Sequence, residues 1–224
     1  MRFDILTTFP SAFSYLNESI IKKAQEKKLI EVNVLDLRKW SSDKHKTTDD
    51  NIFGGGPGML MKIQPIYNAL KELGVYPKDK KDLKTKVILT SAKGTRWNQS
   101  EAKKYVSNLD RIVIICGHYE GVDHRVSEYL IDEEVSIGDY VLSGGELASM
   151  ILLDSVSRLI PGVLGNEDSL IEESHSNELN YEYPQYTRPA RFDTDEGLLL
   201  NVPDILLSGD HMKIKKWKEN RSIT

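Results

Sequence analysis

Ile112-Val113-Ile114-Ile115-Cys116-Gly117-His118-Tyr119-Glu120-Gly121 decides the fold. An unbroken apolar run of this length, closed by glycine, is the pattern of a strand buried on both faces, as in a parallel sheet covered by helices. The glycines at 117 and 121 bracket Tyr119 and Glu120 and let the chain turn sharply. In open α/β sheets ligands bind at the carboxyl ends of strands. Taken alone, such a turn is equally a plain strand-to-helix connection with His118 exposed and Glu120 solvated. The glycine bracket at a strand end favours a ligand site.

The pattern repeats on both sides. Val87-Ile88-Leu89 runs into Thr90-Ser91-Ala92-Lys93-Gly94, and Val135–Ile137 runs into Gly138-Asp139-Tyr140-Val141-Leu142-Ser143-Gly144-Gly145-Glu146. Helical spacing predicts a helix over Asn98–Val106. A well-buried one follows over Glu146–Leu159, with apolar residues at 147, 150, 151, 153 and 156. Upstream, Arg2–Phe9 and Ile30–Leu37 read as strands. They flank a helix opened by Pro10 and Ser11 and carrying Phe13, Leu16, Ile20, Ile21 and Ala24 at helical spacing. Ser41–Lys62 reads as a long loop, Gln64–Leu73 as a helix ended by Gly74, and Pro77–Lys86 as a lysine-rich connector. Strands alternating with helices predict an α/β domain over residues 1–160 built on a parallel sheet flanked by helices. Residues 161–188, rich in Gly, Ser, Asn, Glu and Tyr, read as a linker. Residues 189–224 form a small C-terminal domain whose Pro203–Arg221 stretch is helical.

The 224 residues are 39% hydrophobic and 29% charged, an ordinary globular composition. No apolar run approaches the length that spans a bilayer. The start, Met1-Arg2-Phe3-Asp4, lacks the layout of a secretory signal, so the cytoplasm is the expected compartment. A single cysteine, Cys116, excludes an internal disulfide and disfavours a cysteine-built metal site, so none is expected. The net charge of −4 argues mildly against a partner held by bulk electrostatics, although local basic patches can still bind nucleic acid.

Phe53-Gly54-Gly55-Gly56-Pro57-Gly58-Met59 places four glycines within five positions. Such a loop can present backbone amides to an anion, or be a tight surface turn. Asp49, Asp50 and Lys62 flank it, which suits a polar substrate. No Gly-Lys-Ser/Thr follows, so it is not a nucleoside-triphosphate loop, and no G-x-G-x-x-G marks a dinucleotide fold. Gly144 and Gly145 permit close backbone approach where a helix begins. As a plain structural element, Ser143 or Glu146 would cap that helix. Three glycine-bearing turns at three strand ends favour one shared pocket over three unrelated turns. Arg158 ends the buried helix, where the helix dipole alone favours a cation. Glu172, Glu173 and His175 lie in the linker, where polar residues are ordinarily just solvated. Lys213–Arg221 carries five basic residues and one acid, a basic patch or a solvated helix face over Ile214 and Trp217.

Together, Phe53–Met59, Cys116–Gly121, Ser136–Glu146, Arg158-Leu-Ile-Pro-Gly-Val-Leu-Gly165 and Tyr183-Pro-Gln-Tyr-Thr-Arg-Pro189 resemble the motifs of the bacterial tRNA (guanine-N1-)-methyltransferases. The resemblance runs in order through nearly the whole chain, and the loop ending in Gly145-Glu146 is its most specific part. It implies a deep trefoil knot in the C-terminal half of the α/β domain, a rarity that no periodicity reveals. It implies S-adenosylmethionine bound by Leu89, Thr90, Ala92 and Gly94, by Gly117, Tyr119 and Glu120, and by Ile137, Gly138, Asp139, Tyr140, Val141, Leu142, Gly144 and Gly145. It implies methyl transfer to N1 of the guanosine at position 37 of tRNA, with Arg158 serving the guanine oxygen and a linker carboxylate serving as base. Counting from Gly165, the base position is held by Glu173, a Glu where the family usually has Asp, with Glu172 as the alternative. Ala92 stands where a Pro is often found. The resemblance further implies tRNA contacts at Gly55, Gly56, Gly58, Met59, Lys213 and Lys216, and a homodimer with active sites shared between subunits. Family members generally run somewhat further, so it also implies a truncated end at Thr224. Competing readings are a knotted methyltransferase acting on another RNA site and a non-catalytic RNA-binding protein that keeps the knot.

Overall fold

The computed structural model describes residues 1–165 and 183–221. The chain divides into two compact units, Met1–Gly165 and Asn166–Thr224. In the first unit the elements are β1 (Arg2–Thr7), α1 (Ser19–Glu26), β2 (Glu31–Asp36), β3 (Asp49–Asp50), β4 (Leu60–Met61), α2 (Ile63–Glu72), β5 (Thr85–Arg96), α3 (Gln99–Asn108), β6 (Arg111–Cys116), β7 (Glu133–Ser136) and α4 (Glu146–Ser157). Five of these strands form a parallel sheet in the order β2-β1-β6-β5-β7.

The run at 112–115 is buried on both faces, as its composition requires. Ile112 and Ile114 join one core with Phe3, Ile5, Ile88 and, from α4, Leu152, Leu153 and Val156. Val113 and Ile115 join the opposite core with Leu6, Val87, Leu89 and, from α2, Ile66 and Leu70. Alternate side chains of one strand thus fill two layers. Leu153 is fully buried. Leu153→Ala should therefore lower stability by about 2–5 kcal/mol in urea unfolding, the range for a leucine removed from a packed core. A change below about 1 kcal/mol would contradict this placement.

Several elements differ from their sequence reading. The helix expected from Pro10 is split into a 3-10 turn, Pro10–Asn17, and α1, because Glu18 is extended and Ser19 has φ of 49°. Both pieces still feed Phe13, Leu16, Ile21 and Ala24 into one core, which is why the periodicity read as one helix. Strand β5 does not end at Leu89. It continues to Arg96, and its register against β7 shifts between Thr90 and Thr95, so residues 90–94 form a bulge rather than a terminal turn. Gly94 allows this: a Cβ there would lie 2.5 Å from the backbone of Glu134 and Val135. The long loop at 41–62 contains the short antiparallel β3–β4 pair. A π-helical turn at Val126–Leu130, not foreseen, packs against the second core.

The second unit contains β8 (Arg191–Asp193), β9 (Leu199–Asn201), α5 (Asp204–Leu207) and α6 (His211–Glu219). The helical character expected after Pro203 is present, preceded by an antiparallel β8–β9 hairpin that the sequence reading did not anticipate. The Asp210 carboxylate caps α6 by accepting from Lys213 N. Among the described residues no helix is long and apolar enough to cross a membrane.

Candidate ligand site at the strand tips

Because β5, β6 and β7 are parallel neighbours, their carboxyl ends lie along one edge of the sheet. The bulge within β5 and the segments that follow β6 and β7 line a cavity of about 420 Å³. Ligand clefts for small organic molecules usually fall within about 300–1,000 Å³. Leu89, Thr90 and Ala92 line it from β5; Gly117, Tyr119 and Glu120 from the turn after β6. Ile137, Gly138, Tyr140, Val141, Leu142, Gly144 and Gly145 line it from the segment after β7.

Two residues expected in that set are not in the lining. Gly94 sits in the bulge against the β7 backbone. Asp139 turns outward and pairs with Arg96. Conversely, Ser91, Lys93, His118, Ser127, Glu134 and Ala148 line the cavity without having been foreseen as ligand contacts. Ser127 arrives on the unforeseen π-turn. Glu134 directly precedes the Val135–Ile137 run. The strand's alternation could have indicated it, because Glu134 and Ser136 share the face opposite Val135.

The turns are seated tightly on one another. Gly145 N donates to Gly117 O at 2.6 Å, and His118 forms an isolated bridge with Gly144. A Cβ at Gly145 would lie 2.0 Å from Thr90 Oγ1 and 2.8 Å from Gly117 N. Thus the segment after β7 is lodged between the ends of β5 and β6. Tyr140 folds back over Gly138, its hydroxyl donating to Ile137 O at 3.4 Å.

Acids stand in the wall. Partial burial pushes the Glu134 carboxyl up, but the Ser127 and Ser91 hydroxyls and the Lys93 ammonium outweigh it and hold it below the usual range. Lys93 Nζ is 3.9 Å from its Oε1. Desolvation, helped by nearby Asp49, raises the Tyr119 phenol and keeps it protonated. Burial likewise pushes the Cys116 thiol well up, so it is no nucleophile.

The glycine loop borders this cavity. Glu120 N donates to Met59 O at 3.1 Å, and Met61 N to Gly121 O at 3.0 Å. Gly58 has φ of +79°, and a Cβ there would meet Glu120 Cγ at 2.5 Å. Gly58 and Met59 are therefore held beside the turn after β6, whereas Gly55 and Gly56 stand in the exposed part of the loop, with Phe53 99% exposed at its start. Arg158 lies elsewhere. It caps the C-terminal end of α4, whose first residue, Glu146, follows the cavity-lining Gly145, and the twelve-residue helix sets Glu146 and Arg158 about 18 Å apart. Glu172 and Glu173 lie outside the described residues. In the second unit, Lys213 pairs with Asp210 at 3.0 Å, and Lys216 lies on the same helix. Among the described residues no group of three or more His, Cys, Asp or Glu is placed to hold a metal ion.

Fold and cavity define an α/β protein with a cavity of small-molecule size, walled by backbone-rich turns at one edge of its parallel sheet. The chain matches the profile of the tRNA (guanine-1)-methyltransferase TrmD family over residues 1–224. It is 49% identical to a tRNA (guanine-N(1)-)-methyltransferase of Ruminiclostridium cellulolyticum, covering 100% of this chain and 91% of that one. Proteins of the same name from Geobacillus kaustophilus and Clostridioides difficile are 48% and 49% identical over the whole chain, covering 87% and 93% of their lengths. The chain belongs to the tRNA (guanine-1)-methyltransferase family.

Proposed function

We propose that this chain transfers the methyl group of S-adenosylmethionine to N1 of the guanosine at position 37 of tRNA, beside the anticodon, giving 1-methylguanosine. The observation that carries this reading is the convergence of the β5 bulge and the segments after β6 and β7 on one cavity, with Gly145 lodged against Thr90 and Gly117. Family membership supplies the reaction and its target atom. The same lodging supports a trefoil knot, since the segment after β7 is drawn between the ends of β5 and β6.

The cavity suits the donor. Its walls are rich in backbone groups from tightly seated turns, which can read adenine and ribose by hydrogen bonding. Glu120 and Glu134 outnumber the one lysine of the lining, Lys93, a balance that suits a cationic sulfonium better than a nucleotide phosphate. When bound, S-adenosylmethionine supplies an already activated methyl group. What remains for the protein is positioning and proton removal. Guanine N1 bears a proton at neutral pH, so it needs a base before it can act as a nucleophile. Glu173, with Glu172 as alternative, takes that proton. Charge then builds on the guanine oxygen, and the Arg158 guanidinium donates to it.

Arg158 stands an α4 length away from the cavity end of its own helix, so it serves the cavity of a second copy. Two observations support a homodimer with shared sites: this separation, and the exposed Leu147 and Ile151 on α4. Residues 161–188 then act as the linker that delivers the base, and 189–224 as the small domain whose Lys213 and Lys216 meet tRNA phosphates; the glycine loop of the first unit also contacts tRNA. A protein of this kind works in the cytoplasm.

Arg158→Ala should cut single-turnover methyl transfer by about 10²–10³-fold, the usual loss for a donor that meets developing oxyanion charge. Donor affinity should stay within about threefold. An unchanged single-turnover rate would reject the assignment. The reading itself is tested by incubating the protein with S-adenosylmethionine and a tRNA carrying guanine in the third anticodon position and immediately after it, followed by nucleoside analysis. 1-Methylguanosine at position 37 is expected. A methylated nucleoside of another kind, or none, would overturn the reading.

A further inference from the structure

Glu146 opens α4 and is only 8% exposed. Its side chain does not cap the helix: Gly145 holds the cap position without a side-chain bond. Instead Oε1 accepts a 2.8 Å hydrogen bond from Thr7 Oγ1 at the tip of β1, and Thr7 Oγ1 accepts in turn from Phe9 N at 2.9 Å. Oε2 faces Nδ1 of His118 at 3.7 Å. That nitrogen is buried and makes no hydrogen bond. A buried carboxylate needs a cation or donors, and a buried ring nitrogen needs a partner. Here the two unmet needs are opposite in kind and face each other. Nothing bulky separates them, because the residue between their chains is Gly144, where a Cβ would lie 2.4 Å from both His118 Nδ1 and Glu146 Oε2. The His118 ring is further fixed between Phe9, at 4.7 Å, and Tyr119, at 4.8 Å and perpendicular. Beyond Phe9 stands the Arg38 guanidinium, 5.6 Å from that ring. Asp49 stands beside Tyr119.

We propose that His118 carries a proton on Nδ1 and forms with Glu146 a positioning pair that latches the Gly117–Gly121 turn onto the start of α4 when the methyl donor fills the cavity. The proposal rests on the donor-binding reading above. A closure of under about 1 Å converts the 3.7 Å approach into a charge-assisted hydrogen bond. That bond completes a chain of contacts from β1 through Thr7 and Glu146 to the turn carrying Tyr119 and Glu120. It also holds Gly117 and Gly145, whose backbones already touch, at the spacing the donor needs. Neither residue touches the reacting atoms; both act through the turn.

The test compares wild type, His118→Gln, Glu146→Gln, the double variant and His118→Arg by calorimetric titration with S-adenosylmethionine, with melting temperatures alongside. Each Gln variant should weaken donor binding about tenfold, and the double variant should be no worse than the weaker single one, because both break one latch. His118→Arg, which supplies an N–H donor toward Glu146, should stay within about threefold of wild type. Losses that multiply in the double variant, or an Arg variant as poor as the Gln variant, would overturn the proposal. Should Glu146→Gln fail to fold, the His118 series decides alone. A long-range imidazole nitrogen spectrum of the wild type gives a readout independent of activity. A proton on His118 Nδ1 is expected, and a bare Nδ1 overturns the pair. Failure of the wild type to bind donor at all would sink the donor reading instead, while the spectrum would still judge the pair.

Discussion

Glu173→Gln should abolish methyl transfer while leaving donor binding intact. The amide is nearly isosteric with the carboxylate but cannot take the N1 proton, and removing a general base lowers rates by about 10²–10⁴-fold. Single-turnover kinetics with saturating tRNA measure the chemical step directly. A rate within threefold of wild type would remove Glu173 as the base and turn attention to Glu172, one residue away. The variant also tests the sharing of sites. Mixed with a variant crippled only in its cavity, it should regain roughly a quarter of wild-type activity. Random pairing makes half the dimers mixed, and each mixed dimer holds one intact site. No recovery at any ratio would place cavity and base in the same copy.

Gly145→Ala is the natural cavity variant and carries the second large effect. Its methyl would lie 2.0 Å from Thr90 Oγ1, which can rotate, but also 2.8 Å from Gly117 N and 3.0 Å from Cys116 Cα, which cannot. The turn after β6 must therefore move away from the segment after β7. Overpacking of this kind costs about 1–3 kcal/mol, which corresponds to roughly a five- to 150-fold loss of donor affinity if it falls on the bound geometry. Gly55→Ala provides the contrast, since nothing lies within 4 Å of its Cβ position and only its φ of +81° opposes the change. Equal donor affinity in Gly145→Ala and wild type would mean that the contact between the turns does not shape the site.

The sheet was legible because the runs at 87–89 and 112–115 are apolar on both faces, the pattern of strands in a covered parallel sheet, and Val135 and Ile137 mark a third, shorter strand. The shared pocket was legible from glycine-bearing segments at the ends of those strands, and all but two of the expected lining residues do line the cavity. What escaped has physical causes. The bulge at 90–94 depends on the close approach of Gly94 to the β7 backbone, a tertiary contact without a local signature. Asp139 escaped because its partner, Arg96, exists only once β5 is extended past Leu89. The inward face of Glu134 follows from the strand's alternation, which a four-residue strand shows only weakly. The pairing of His118 with Glu146 joins positions 28 residues apart across two turns, and single-sequence periodicity carries no trace of it. The displacement of Arg158 from the cavity is plain from helix length alone, given where α4 begins.

The claim on which the rest stands is that the donor binds among the three strand-end segments. Titrating S-adenosylmethionine into isotope-labelled protein and following backbone amide resonances tests it most directly. The account predicts that the largest shifts fall within residues 89–94, 117–121 and 137–146, with the outer strand β2 unmoved. Shifts centred anywhere else in the first unit, with those three segments silent, would contradict it.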